Sequence, residues 1–581
     1  MSRRTLCGVL AACLVFSQLT GCGEKAAQSS APEPSFGVQA SAAEPVMDSA
    51  VETQVPVSSG TFSMPYNGSY GWNPYTCRSM ENQAVMQMIY QGLFTLNQSF
   101  DAEPVLCKDF SVSDDGLTYT ITLQSAWFSN GSALTAADVT YSLSQAQQSE
   151  LYSERFTNIS GYEAVDSGTV AIYLSQPNDR LPCLLNFPII RDGSSPNGSP
   201  QGTGPFVRNG DVLTLDQNWW QGAERVQFQT VTLCSSTSAE DTRDNFEMDN
   251  VDLVYNDPQS STAATFHCDY ELWNSPNTVM QYIGFNMTTG LCSSKDIRTA
   301  IIRAIDRNTI AESVYHNFAD PTALPVPAIS SLYNKELARN YEYDADTALT
   351  QLLDNSLYYL PDDDPRLTGG PGAQRNQPDT TAQDTADESS TLEEDALIDE
   401  TDPEADPEAD PEADPDATQE DTAQEEETTY NDLVLIVLSG NANRIAAAKL
   451  AAEQLTDVGF TVTVKSLSEN EFMTALNTGE YDLYYADVCL SPDLDLRPLL
   501  KASGDLNYGG IPEDSVLSDR IYNALENSGN HYDLYQYVMD QGYLCPILFE
   551  NNAVFTSRGV FSGLTPAPGN LIYDIQTITV K

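Results

Sequence analysis

Histidine is nearly absent: the 581 residues hold three, His267, His316 and His531, far apart along the chain. That scarcity argues against a His-built metal cage or a His-dependent nucleophile, and no H-E-x-x-H, G-x-S-x-G or P-loop pattern occurs. Basic residues are few as well, 27 Lys and Arg against 83 Asp and Glu, for a net charge of −56. Nucleic acids and anionic membrane surfaces are held by Lys and Arg patches, so neither is an expected partner. No two cysteines stand in a C-x-x-C pair, which removes the zinc-ribbon and thioredoxin-like readings. Beyond residue 22 no run of ~20 apolar residues occurs, the length a spanning helix needs. The expectation is a chain with no metal, no cofactor and no enzymatic chemistry.

What is present begins with an address. Arg3 and Arg4 precede a mostly apolar run, Leu6 to Phe16, too short to span a bilayer. Leu19-Thr20-Gly21-Cys22 follows, and it resembles the bacterial lipobox. Residues 1–22 are therefore expected to be a lipoprotein signal, with Cys22 acylated and the mature chain anchored on the outer face of the cell membrane. Each buried methylene contributes ~0.8 kcal/mol, so several acyl chains hold where one does not. Residues 23–57, rich in Ala, Ser, Pro and Glu, bury too little surface to order themselves and read as a flexible tether with a coil span of roughly 30 Å.

The elements that follow are α/β in pattern. Thr118 to Leu123 alternates strictly behind Asp115-Gly116, which predicts a hairpin with a primed turn. Thr135, with Asp138 three residues on and Leu134 against Val139, predicts a capped and stapled helix burying Val139, Leu143 and Ala146. Ile297, Ala300, Ile301, Ala304 and Ile305 fall at helical spacing and predict one helix from about Ile297 to Tyr315. Arg298, Arg303 and Asp306 are expected in surface ion pairs on it. Leu433–Leu438, a helix to Val458 ended by Gly459, Phe460–Val464, a helix over 471–477 and Tyr481–Val488 make β-α-β-α-β, hence a parallel sheet. Cys77, Cys107, Cys183, Cys234, Cys268, Cys292, Cys489 and Cys545 lie scattered in apolar surroundings, as buried thiols do; their spacing leaves open whether any pair.

An acidic stretch interrupts this order. Residues 361–429 carry 25 acidic and 2 basic residues and repeat Asp-Pro-Glu-Ala from Asp402. Proline every four residues forbids a regular helix and like charges extend the chain, so a disordered insert is expected. Closing 69 residues rather than 5 costs only ~2 kcal/mol more, which a stable host tolerates. Weak Ca²⁺ binding is the alternative, but the four-residue period does not fit an EF-hand loop.

The motifs, taken in order, resemble a known family. Trp72-Asn73-Pro74, Ile89-Tyr90-Gln91-Gly92-Leu93-Phe94, Asp115-Gly116-Leu117-Thr118-Tyr119, Phe128-Ser129-Asn130-Gly131, Gly202-Thr203-Gly204-Pro205-Phe206, Asn218-Trp219-Trp220, Tyr282 to Asn286, Ile297 to Arg307, Pro492-Asp493 and Pro546 to Phe549 are similar, in sequence and spacing, to the family 5 extracellular solute-binding proteins of peptide and nickel ABC transporters. The resemblance implies a two-lobed, periplasmic-binding-protein-like (type II) fold with a hinge. It implies lobe I over 58–275, lobe II over 276–360 and 430–535, and a return to lobe I over 536–581. It implies a monomer that closes on a peptide or similar small solute and presents it to ABC permease subunits. Signalling, or a surface role without transport, is the alternative.

Five residues are candidates for the ligand. Tyr70, Trp72 and Asn73 stand where a lobe I loop faces the cleft; aromatic faces and an Asn amide suit a peptide backbone, although turn and core packing would explain them equally. Tyr485 and Asp487 are the lobe II candidates. In peptide-binding members an acid in this segment pairs the ligand's α-amino group; Asp487 is displaced from it by one position and Tyr485 replaces the usual Trp. Gly202 and Gly204 are expected to shape a turn.

Overall fold

The computed structural model describes residues 60–195, 198–260, 262–368 and 431–581. The signal, Cys22, the tether and the Asp-Pro-Glu-Ala repeats lie outside the described residues. Residues 359–430 form a unit of their own, and within its described part Pro365–Thr368 make one helical turn, where disorder was expected. Proline suits the first position of a helix, and Arg366 Nε donates to Asp364 at 2.8 Å, closing the turn.

The remaining described residues build three sheets of four or more strands. Thr61–Tyr66 pairs in parallel with Thr230–Ser235, which continues antiparallel through Val212–Leu215 to Phe206–Asn209. A second, antiparallel sheet runs Cys107–Val112, Thr118–Leu123, Thr169–Leu174, Ile159–Asp166. Its first hairpin turns at Gly116, whose φ of +69° a side chain would strain. The alternation of Thr118–Leu123 buries Tyr119, Ile121 and Leu123 as expected. The helix Ala136–Gln148 starts as read: the Asp138 carboxylate reaches back to the Thr135 N–H at 2.8 Å, and Val139, Leu143 and Ala146 are buried.

The largest sheet has seven strands: β1 (Leu253–Asn256), β2 (Tyr270–Phe285), β3 (Ala319–Pro321), β4 (Asp432–Leu438), β5 (Thr461–Leu467), β6 (Leu483–Cys489) and β7 (Cys545–Ser557). Their order is β1-β7-β2-β6-β4-β5, with β3 on β7. The expected β-α-β-α-β unit is present: β5 and β6 flank β4, both parallel to it. The whole sheet is mixed, because β2 meets β6 antiparallel.

Strands β2 and β7 form a ribbon that belongs to two cores. Its first end pairs with β1, and Val554 joins Leu253 in the core that also contains Phe62 and Phe206. The C-terminal residues Phe561, Leu571 and Val580 return to that same core. Its other end supplies the middle of the seven-stranded sheet, next to β6. Between them the register breaks: Pro276 faces Asn551, but Met280 faces Phe549. Two extra residues on β2 kink and twist a ribbon there.

Two expectations from periodicity are corrected. The single helix over Ile297–Tyr315 is two, Lys295–Ala304 and Arg307–Tyr315. Ile305 is extended, and the Asp306 carboxylate accepts the N–H groups of Asn308 and Thr309, restarting the helix as an N-cap. Nor are Arg298, Arg303 and Asp306 surface ion pairs. Arg298 is buried and donates to the carbonyls of Gln541, Gly542, Cys292 and Ser293, so its planar fork closes the end of the helix His531–Gln541. Arg303 donates to Thr299 O and Gln351 Oε1. All eight described cysteines are free thiols.

Candidate functional site

A cavity of ≈ 440 Å³ opens against the ribbon. Its walls come from the helix Met80–Met86, the segment after it to Thr95, Tyr152 and Arg155, Asn186 and Pro188, Trp219 and Gln221, and the returning stretch 568–576. The ribbon contributes Asn552 on β7, and β1 contributes Tyr255. Asn552 pairs with Ser275, one residue before the register break, and its Nδ2 donates to the Tyr255 hydroxyl at 2.7 Å.

Sequence builds these walls by close approach. A Cβ on Gly202 would stand 2.0 Å from Ile89 O and one on Gly204 2.5 Å from Met88 O, so two glycines let the segment Gly202–Phe206 lie against Met88 and Ile89, between the wall residues Gln87 and Tyr90. Gly204 N donates to Ile89 O at 2.9 Å and Phe206 N to Met88 O at 3.1 Å. Their role is this contact, more than a turn.

The lining is polar with little charge. Eight of its residues end in side-chain amides, set among apolar surfaces such as Met86, Phe94, Pro188 and Ile572. Several amides are braced: Gln91 accepts from Trp220 Nε1 at 2.9 Å and donates to Gln221 at 3.1 Å, while Gln87 accepts from Leu571 N at 2.6 Å. Such groups both donate and accept, as a peptide backbone requires. Two ionic residues line the cavity, Arg155 and Asp574. Arg155 stacks over the Tyr152 ring, 4.9 Å from its centroid, and donates to Asn186 Oδ1 at 3.0 Å.

The five sequence candidates lie elsewhere. Asn73 is buried and builds a turn: its Oδ1 accepts Tyr75 N at 2.9 Å and its carbonyl accepts Cys77 N at 3.0 Å. That turn delivers Pro74 to the cavity wall. Trp72 is packed under the Arg208 guanidinium, 4.2 Å away. Tyr70 is exposed. Tyr485 and Asp487 share one face of β6 and belong to a second polar region. There Gln281, opposite Asp487, donates to Glu550 Oε1 at 2.6 Å and accepts from the hydroxyls of Tyr315 (2.5 Å) and Tyr485 (2.8 Å). Asp487 pairs with Arg444 at 2.7 Å, at the start of the helix Ala442–Asp457. Arg444 Nε is the one buried side-chain atom of this cluster without a partner among the described residues. Burial, and behind it the carboxylates of Asp487 and Asp257, pushes the Glu550 carboxyl up to about 8, against the pull of the Gln281 hydrogen bond.

Beside this cluster, Asn443 Nδ2 donates to Gln259 Oε1 at 2.9 Å and Asn441 Nδ2 to Gln259 O at 3.3 Å. Farther along, Asp493 is held by Asn178 (2.9 Å) and its carbonyl by Arg180 (3.2 Å). Pro492-Asp493 is thus a packing element in this chain.

Comparison with known proteins fits this architecture. Residues 101–394 match the model of the bacterial extracellular solute-binding proteins, family 5 Middle. The glutathione-binding protein GsiB of Salmonella paratyphi A is 29% identical over 279 residues, 44% of this chain and 54% of that protein. The chain therefore spans about half the length of the curated relatives it matches. Among solved structures, the ABC transporter substrate-binding protein CtaP of Listeria monocytogenes superposes with a TM-score of 0.62 at 17% identity, over 90% of this chain and 99% of that one. The oligopeptide-binding protein AppA of Bacillus subtilis, solved with a nonapeptide, gives 0.53 at 17% identity over 90% and 99%. The fold is thus the two-lobed, type II periplasmic-binding-protein-like α/β fold. By the match that covers half its length, the chain belongs to the bacterial extracellular solute-binding proteins, family 5.

Proposed function

We propose that this chain is the capture component of an ABC importer, held on the outer face of the cell membrane by acylated Cys22, and that it takes peptides or a similar small solute into the cavity beside the ribbon. The observation that carries the reading is an amide-lined cavity set against the ribbon where its register breaks. A guest bound there touches Asn552 and Tyr255, so its contacts favour one setting of the ribbon over another, and that differential affinity is what lobe closure requires. GsiB is named for glutathione and AppA was solved with a nonapeptide; both guests present peptide groups that Gln and Asn side chains match.

On this reading Tyr70, Trp72 and Asn73 act through the turn that delivers Pro74 to the cavity wall, and Tyr485, which is fully buried, and Asp487 shape the sheet behind the opposing wall rather than touching the guest. Asp487 arrives already matched by Arg444, so it orients the opposing wall more than it captures an ammonium. The protein works as a monomer and turns nothing over.

Mass spectrometry of solute co-purifying with the mature chain, followed by calorimetry with a peptide library, tests the proposal. A stoichiometric small solute displaced by peptides is the expected result; a chain that carries nothing and gives no heat with any peptide sinks it. Cys22→Ser should move the protein from the membrane fraction to the medium or periplasm, and retention in the membrane would reject the lipid anchor.

A further inference from the structure

Of the 28 residues around the cavity, one is a base and one an acid, in a chain whose acids outnumber its bases 83 to 27. Arg155 is the more informative of the two. Arg78, Arg180, Arg444 and Arg497 each have a carboxylate within 4 Å. Arg155 has none among the described residues; its side chain meets the neutral Asn186 amide and the Tyr152 ring. A guanidinium carries five N–H donors in a fork that matches a carboxylate. One is used, and the ring fixes the plane of the rest. On the returning stretch, Asp574 is half-buried, and no group among the described residues hydrogen-bonds its carboxylate.

We infer that Arg155 is the specificity residue that receives a carboxylate of the guest and that Asp574 supplies the counter-charge for its ammonium group, so the cavity selects zwitterions with free termini. This rests on the peptide-capture reading above. The long-range field supports it: a chain of net charge −56 disfavours a net anion as it approaches, which favours a carboxylate carried on a molecule with a positive group. Burying that carboxylate in a cavity of neutral amides would be costly without a charged partner, and Arg155 is the one cation of the wall among the described residues.

The test uses the full mature chain and mixed-sequence tripeptides in three forms: free termini, C-terminal amide and N-terminal acetyl. Calorimetry should show the free form binding on the order of 10- to 100-fold tighter than the amide, as for a charge-assisted pair. Arg155→Gln should bring the free form down to the affinity of the amide and leave the amide unchanged. Arg155→Lys should keep part of the preference, since it keeps a point charge but not the fork. Asp574→Asn should erase the preference for the free over the acetylated N-terminus. Thermal melts confirm that each variant is folded; should Arg155→Gln not fold, the wild-type ratio and Arg155→Lys decide. Equal affinity of wild type for acid and amide, or an unchanged ratio in Arg155→Gln, overturns the inference and leaves peptide capture standing. Binding of none of the three forms overturns capture itself, and the inference with it.

Discussion

The cavity and the polar cluster on the seven-stranded sheet are built from the same kinds of side chain and treat them in opposite ways. In the cluster Gln281 satisfies Glu550, Tyr315 and Tyr485 at once, and Arg444 meets Asp487. At the cavity Arg155 has an amide and a ring, and the Asp574 carboxylate has no hydrogen-bonding partner among the described residues. A buried polar network that closes on itself, as this cluster does but for Arg444 Nε, fixes a single structure, whereas one left open keeps its capacity for something else. On the proposed function the difference separates a joint from a receptor, although both hold an arginine, a carboxylate and amides.

Four variants would break or sharpen that contrast. The largest effect is expected of Gln281→Leu, which strands a buried carboxyl and two phenols; unfolding should cost roughly 3–5 kcal/mol less than in wild type, given ~1–3 kcal/mol per orphaned group. A loss under 1 kcal/mol in denaturant titrations would mean the cluster is not the joint described. Next is Glu550→Gln. The folded carboxyl titrates near 8 and the unfolded one near 4.5. Between those values the unfolded chain sheds a proton that the folded chain keeps, so wild-type stability falls as pH rises, by at most ~1.4 kcal/mol per pH unit, and levels off above 8. The Gln variant should lose this one contribution, so the stability difference between the two proteins should change across the window, and parallel curves would contradict the assignment.

Asp487→Asn should destabilise by about 1–2 kcal/mol, because it strips the charge partner from a nearly buried guanidinium, though Asp487 itself is 24% exposed and partly screened. Its melting point should fall while peptide affinity changes little. Arg155→Gln comes last on stability, within about 0.5 kcal/mol, as expected of a side chain with no acid to strand, yet first in lost ligand preference. Should it unfold the protein more readily than Asp487→Asn, the two regions are not as different as their contacts indicate.

Local chemistry was largely readable from the chain. The Thr135–Asp138 capping box, the Asp115-Gly116 turn and the β4-to-β6 unit rest on interactions within a few residues or on apolar runs, and all stand where expected. The break at Ile305–Asp306 was not, because an acid at helical spacing looks the same whether it faces water or caps a new helix. Arg298 misled for a related reason: periodicity gives its face, not that the end of a helix more than 230 residues away needs closing there. The cavity lay furthest from view, since its walls come from segments between Pro74 and Gln576 that only the fold brings together. One trace existed. Arg155 has no acid three or four residues away on either side, so in a chain this acidic its lack of a helical ion-pair partner was visible.

Strand β7 has a consequence for measurement. Glu550 and Asn552 are two residues apart on it, about 7 Å along a pleated backbone, and they point the same way. One carries the proton that leaves near pH 8; the other stands in the wall a guest would touch. Occupancy and ionisation therefore act on a single stretch of main chain, and any strain one imposes must be felt by the other. On the proposed function, solute affinity measured across mildly alkaline buffers is expected to follow that carboxyl's charge.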